Sequence, residues 1–347
     1  MRSFYRPRKG FHRALRLFRR SKNGFSLLEV LIALMVLMIV LIALLQFLTD
    51  VDHVWKSTAE DPYAEAANAF EVVAQNLSTA TLETYQDYAD NSGNFRTGAS
   101  TSFLPDHLAR RSDLDFVCES GGSSNELFKA SGRITNGSAV FFLTPHGYTQ
   151  TYAHGGMEHL LNALGYFVEF GDDTSPVFFS NNHCWRWRLK QIVQPAESLQ
   201  IFAPLPSAIA WIQEMVQPGT IAPVLAENIA TLIVLPERAA NDPGIPLSFD
   251  FHYDSQDANQ PLTRHQLPPR VRLILVAVDS ISAQQLAAKY GSNPPPLIPN
   301  GLFHEADRLD TDLASLDSTL TAQKINHRIF QRHILLPSSV WSETFSQ

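Results

Sequence analysis

The chain has 347 residues, enough for one large domain or two ordinary ones. Hydrophobic residues make up 45% and include 22 Phe, which excludes a wholly disordered chain. Residues 1–24 carry nine basic side chains (Arg2, Arg6, Arg8, Lys9, Arg13, Arg16, Arg19, Arg20, Lys22) and no acid, leaving 18 basic against 34 acidic residues, a net charge of −16, on the rest. So acidic a body lacks the basic footprint that phosphate binding needs, which argues against a nucleic-acid partner.

After the basic block comes Gly24-Phe25-Ser26-Leu27-Leu28-Glu29-Val30, and an apolar run continues to Leu48, with Glu29 and Gln46 its strongly polar members. As a helix, Leu27 to Leu48 would rise about 33 Å, the thickness of a bilayer's hydrocarbon core. Basic residues before the span and Asp50, Asp52, Glu60 and Asp61 after it predict a cytoplasmic N-terminus and an acidic body outside. The run is too long for a secretory signal, whose apolar region is roughly 7–15 residues, and Gln46-Phe47-Leu48 does not resemble its small-residue cleavage site. A plain membrane anchor explains the length and the charge bias. It does not explain Glu29, because an ionised carboxylate in a span costs about 2.5–3.5 kcal/mol and usually has a partner.

The string Gly24-Phe25-Ser26-Leu27-Leu28-Glu29 behind a basic leader resembles the processing site of type IV prepilins and type II secretion pseudopilins. The resemblance implies that a prepilin peptidase cuts between Gly24 and Phe25 and methylates the Phe25 amine, and that Glu29 acts in assembly with other pilin-like subunits. Glycine at the cut admits the backbone to a narrow site, and Glu29 can neutralise an N-terminal amine inside lipid.

Beyond Pro62, which would kink or interrupt a rod, Ala66, Ala69, Phe70, Val73 and Leu77 recur at helical spacing among polar residues. This amphipathic stretch extends the N-terminal helix over residues 49–84. From about Tyr85 the pattern changes. Residues 91–102 and 121–125 read as loops. Strands are expected over 139–143, 166–170, 185–190, 229–235, 271–278 and 329–336. Over 185–190, Trp185, Trp187 and Leu189 alternate with Arg186, Arg188 and Lys190. The basic face reads as the solvent side of an edge strand, or as a surface for anionic lipid or an acidic neighbour subunit. A helix is expected over 282–290, stopping at Gly291, and the Leu309, Leu313, Leu316, Leu320 stripe reads as core.

Val224-Leu225-Ala226-Glu227-Asn228-Ile229, followed by Gln266-Leu267-Pro268-Pro269-Arg270-Val271, is similar to the head of J-class minor pseudopilins and to the Verru_Chthon cassette prepilin-like proteins of C type. The fold implied is α+β: a long N-terminal helix, half in the membrane and half packed on the antiparallel sheet of a head spanning 85–347. The division expected is a leader over 1–24, a transmembrane helix over 25–48, the amphipathic extension and the head. The head would lie in the periplasm or outside the cell.

Chemistry-bearing groups are few. His154-Gly155-Gly156-Met157-Glu158-His159 lacks metalloprotease spacing and reads as a polar loop. Asp250, Asp254 and Asp257 around His252 lack the Gly and Glu of a calcium loop and read as a solvated turn. Exported thiols tend to oxidise, and sequence leaves open whether Cys118 and Cys184 form a disulfide. No cofactor or metal is expected. The chain reads as a non-enzymatic prepilin-like subunit, with a membrane-anchored binding or catalytic ectodomain as the alternative.

Overall fold

The computed structural model describes residues 27, 30–42, 61–96, 102–120, 127–151, 153, 155, 159–172, 185–203, 209–238 and 246–342. The chain forms two compact units, Met1–Asp61 and Pro62–Gln347. In the first, residues 30–42 are helical (α1). The junction expected between the membrane half and the amphipathic half of one long helix falls outside the described residues.

The second unit begins with α2 (Ala64–Ser78), which buries Ala66, Ala69, Phe70, Val73, Ala74 and Leu77, the face expected from the spacing. The helix stops short of residue 84. Ser78 Oγ donates to Gln75 O and Thr79 Oγ1 to Asn76 O. Such hydroxyl bonds compete with helix continuation. The backbone then turns so that Thr81 N donates to Leu143 O at 2.9 Å.

Eleven strands among the described residues form three antiparallel sheets. A two-stranded ribbon pairs β1 (Tyr85–Ala89) with β2 (His107–Arg111). The six-stranded sheet uses β3 (Phe116–Ser120), β4 (Ile134–Pro145), β5 (Leu161–Asp172), β6 (Trp185–Gln194), β7 (Val224–Glu227) and β9 (Tyr253–Asp254) in the order β7-β6-β5-β4-β3-β9. The three-stranded sheet runs β11 (His327–Leu335), β10 (Arg270–Val278), β8 (Ile229–Glu237). The remaining helices are α3 (Ala210–Met215), α4 (Ser280–Tyr290) and α5 (Leu309–Ala322).

Every residue of β8 and β10 is buried, because both faces of the three-stranded sheet are covered. Cross-strand register sorts the faces. Phe330 lies opposite Leu275 and Arg332 opposite Leu273; these face α2, where Phe70 meets Phe330 at 5.8 Å and Arg332 grips Glu71 with two bonds of 2.6 and 2.7 Å. His333 lies opposite Arg272 on the other face, where Arg272 pairs with Asp310 of α5. The α5 leucines 309, 313, 316 and 320 are all buried. Helix α4 begins at Asp279, whose carboxylate accepts from Ser282 N at 2.8 Å, and ends at Gly291 with φ 57°.

The outer edge of β8 meets the six-stranded sheet. Ala230 O accepts from Asn136 Nδ2 at 3.1 Å, and Val234 O accepts from Cys118 Sγ at 3.1 Å. Between them the Leu232 carbonyl lies over Gly137, which sits at a bulge in β4 with φ 72°. A row of edge carbonyls is thus satisfied or packed from the side, without a further strand. Asn228, φ 58°, turns the chain from β7 in one sheet to β8 in the other. Asparagine tolerates that left-handed conformation better than most residues.

The edge position expected for β6 also fails. Strand β6 is interior, with β5 on one side and β7 on the other. Arg188 is 7% exposed and donates to Asp172 O, and Arg186 pairs with Glu227. Strand β6 is therefore not an edge strand, because β7 pairs along its outer side, and Arg186 and Arg188 are engaged within the chain while Lys190 is half-buried.

Candidate functional site

Helix α1 has the sequence Val-Leu-Ile-Ala-Leu-Met-Val-Leu-Met-Ile-Val-Leu-Ile over 30–42. It contains no Gly, Pro or polar residue, so nothing interrupts it and no face is polar. All thirteen positions are exposed, from Val30 at 46% to Met38 at 70%. A helix that is apolar all round belongs in a core, in lipid or among other apolar helices. Packing among helices in lipid relies on contact and on rare polar pairs, since the tails are as apolar as leucine. Among the described residues no helix is long and apolar enough to cross a membrane. Gly24, Phe25 and Glu29 lie outside the described residues, so their roles rest on the sequence.

In the head, Cys118 is fully buried, its thiol directed at Val234 O, and burial raises its pKa well above the ordinary value. Cys184, with which the sequence leaves a disulfide open, lies outside the described residues. His154, Gly156, Met157 and Glu158 also lie outside them. No group of three His, Cys, Asp or Glu among the described residues is arranged to hold a metal ion.

The Asp250–Asp257 segment is not a simple solvated turn. Asp254 belongs to β9 and is 7% exposed, because β9 docks on β3 with Val117 opposite Asp254. Burial raises its pKa. His252 Nδ1 meets Glu119 Oε2 at 2.7 Å, and that bond raises the histidine's pKa. Asp257 accepts from Asn259 N at 2.8 Å in a local turn.

Several buried polar groups escaped the sequence reading. Glu237, fully buried, forms an ion pair with Arg270 Nε at 2.7 Å and meets His333 Nδ1 at 2.8 Å. Arg133 donates through Nη1 to both oxygens of Glu169 (3.0 and 3.1 Å), through Nη2 to Thr220 O and through Nε to Val216 O. This clamp ties the end of α3 to β5. Tyr166 OH, whose pKa burial raises to about 12, accepts from Asn76 Nδ2 at 2.6 Å and Gln191 Nε2 at 3.0 Å, joining α2 to the six-stranded sheet. Asp115 lies fully buried beside Ser255 and Trp211. Its signal was available: a lone acid between Leu114 and Phe116-Val117 must find donors when the run is buried.

An open groove of about 590 Å³ runs beside the end of β6, lined by Tyr148, Ile192, Val193, Met215, Ile221 and Pro223 among others. Its walls are mainly apolar.

Comparison with known proteins bears on the N-terminus. Residues 19–45 match the family model described as the prokaryotic N-terminal methylation motif. The match includes Gly24, Phe25, Glu29 and all of α1. No curated protein and no solved structure matches the chain. The N-terminus thus carries a methylation motif that supports a prepilin-like protein.

Proposed function

We propose that this chain is a prepilin-like structural subunit of minor pseudopilin type, built for assembly and not for catalysis. A prepilin peptidase removes residues 1–24 and methylates Phe25. The apolar helix that follows anchors the chain in the cytoplasmic membrane, with the acidic head on the periplasmic or extracellular side. There it joins other pilin-like helices in a pilus-like or type II secretion-like complex. Head motifs similar to the J class and to C-type Verru_Chthon cassette proteins favour a minor component.

One observation carries this reading. The methylation motif over 19–45 coincides with a helix over 30–42 that is apolar on every side and exposed throughout. Glu29 supplies the polar contact such a helix needs for specificity, by pairing with a methylated amine of its own or a neighbouring chain.

The test is crosslinking through cysteines placed in α1, in cells that make the partner subunits. Glu29→Ala should insert and be processed as wild type, because the cut site is unchanged and a costly charge has left the span. Its crosslinks to partner subunits should be lost. Undiminished crosslinks would show that Glu29 takes no part in assembly and would favour a plain anchor.

A further inference from the structure

Strand β11 is the longest open sheet edge among the described residues. At the ends of the six-stranded sheet, β7 has four residues and β9 two, and strands so short are poor templates for a further chain. At the other end of the three-stranded sheet, the outer edge of β8 is met by Asn136 and Cys118. Strand β11 has nine residues, paired with β10 in a register without a bulge. It contains neither Pro nor Lys, the usual guards of an edge, and Arg328, Gln331, Arg332, His333 and Leu335 are exposed.

The hydrogen bonds just beyond its two ends fix which amides point outward. Leu336 N donates to Pro269 O at 3.1 Å, and Asp279 N donates to Asn326 O at 3.0 Å. Both pairs continue the β10–β11 register, and antiparallel pairs alternate between bonded and unbonded. Counted by twos from either end, residues 328, 330, 332 and 334 bond β10. Residues 327, 329, 331, 333 and 335 therefore turn their N–H and C=O groups away from it, and five donors and five acceptors stand along the open side.

Side chains decide what can pair there. Arg332 is drawn onto α2 by Glu71, and Arg328 lies over the Tyr63 and Phe330 rings at 5.4 and 5.8 Å. With a second β11 laid antiparallel along this edge and the two-fold axis at Gln331, Arg332 stands opposite the copy's Phe330 and Arg328 opposite its Ile334. His333 stands opposite Ile329, His327 opposite Leu335, and Gln331 meets itself. Every basic side chain thus faces an apolar one, and all the outward donors and acceptors of both strands are matched. A slip of two residues one way sets Arg328 against Arg332, and a slip the other way sets Arg332 against itself. Like charges directly opposite destabilise a strand pair, so the sequence selects one register. We propose that β11 pairs with β11 of a second copy of this chain in the register centred on Gln331, joining two heads through one continuous sheet.

The interface is isologous, the same strand on both sides, so it closes at two copies. Tyr63, Phe70 and Glu71 meet Arg328, Phe330 and Arg332 in turn, so α2 runs in the same direction as β11. The two-fold axis therefore sets the two α2 helices antiparallel. The contact belongs to the heads. It is separate from the packing of N-terminal helices in the proposed assembly and does not rest on that reading.

The experiment is oxidative crosslinking of the full chain, in cells and in detergent, with Cys184→Ser as background; Cys118 is buried. Gln331→Cys lies on the axis, where opposed Cα atoms of a bonded pair are about 5.5 Å apart, within disulfide reach. It should give a covalent dimer of doubled mass. Leu335→Cys is equally exposed but stands about 27 Å from its own copy in this register, and should give none. No dimer through residue 331, or dimers through 335 as readily, overturns the proposal. A crosslink from 331 to a different protein and not to the copy overturns self-pairing and assigns the edge to another strand. If a cysteine variant fails to fold, amide exchange of the unmodified chain decides. The outward amides of Ile329, Gln331 and His333 should slow on the order of tenfold as the chain is concentrated, and unchanged rates overturn the proposal. Glu29→Ala leaves β11 intact, so the crosslink through 331 should persist in that variant, which keeps the two readings distinguishable.

Discussion

Gly137 is where the two larger sheets touch, and replacing it with alanine should weaken the head out of proportion to one methyl group. A Cβ built there falls onto Thr231 Oγ1 and the Leu232 carbonyl oxygen, with Leu232 N at 3.0 Å. The carbonyl belongs to β8, which is paired along its other edge with β10 and cannot retreat without disturbing that ladder. Two costs combine. The left-handed backbone, φ 72°, costs about 1–2 kcal/mol for a residue with a Cβ. Overpacking against fixed backbone adds about 1–3 kcal/mol. Gly132 provides the control: its φ is 67°, but nothing lies within 4 Å of its Cβ position. Gly132→Ala should therefore cost only the backbone part, about 1–2 kcal/mol. Urea unfolding of the full chain in detergent, followed by tryptophan fluorescence, measures both variants. If Gly137→Ala proves no more damaging than Gly132→Ala, the two sheets do not meet as described.

Other outcomes follow from single contacts. Glu237→Gln should cost about 3–5 kcal/mol, since Arg270 would keep its buried charge with no countercharge; replacing both by well-packed leucines should recover most of the loss in the same unfolding assay. Arg133→Lys should destabilise the head, because an ammonium cannot reproduce four bonds to Glu169, Thr220 and Val216. Its signature would be faster amide exchange in α3, while unchanged exchange would mean the clamp is idle. The hydrogen bond from Glu119 raises the His252 pKa, so the pair's contribution is full below 6.5 and lost as pH rises through the folded value. Glu119→Gln should return the NMR titration of His252 toward 6.5, and an unmoved titration would remove Glu119 as the cause.

Much of the head was legible where periodicity and burial agree. The α2 face appeared at the expected positions because residues three and four apart share one side of a helix. Strands β8 and β10 read as continuous apolar runs because the sheet they form is covered on both faces. Strand β6 misled for the converse reason. Its basic residues suggest an exposed edge, and only the pairing with β7 shows that the strand is interior. The ribbon β1–β2 was not legible, because Tyr85-Gln86-Asp87-Tyr88-Ala89 is short, largely polar and only partly buried. Asn228 stood out within a motif, but its reason, a left-handed turn between two sheets, needed the backbone. For the proposed cleavage, methylation and assembly residues the order is reversed. Gly24, Phe25 and Glu29 fall within the local motif matched over residues 19–45, so no tertiary pattern was needed to single them out.

Intact-mass and N-terminal peptide analysis of the chain, made in a host with an active prepilin peptidase, tests the central claim most directly. The account predicts a mature chain that begins at Phe25, with one methyl group on its amine. A chain that keeps residues 1–24, or one cut elsewhere with a free amine, would contradict it.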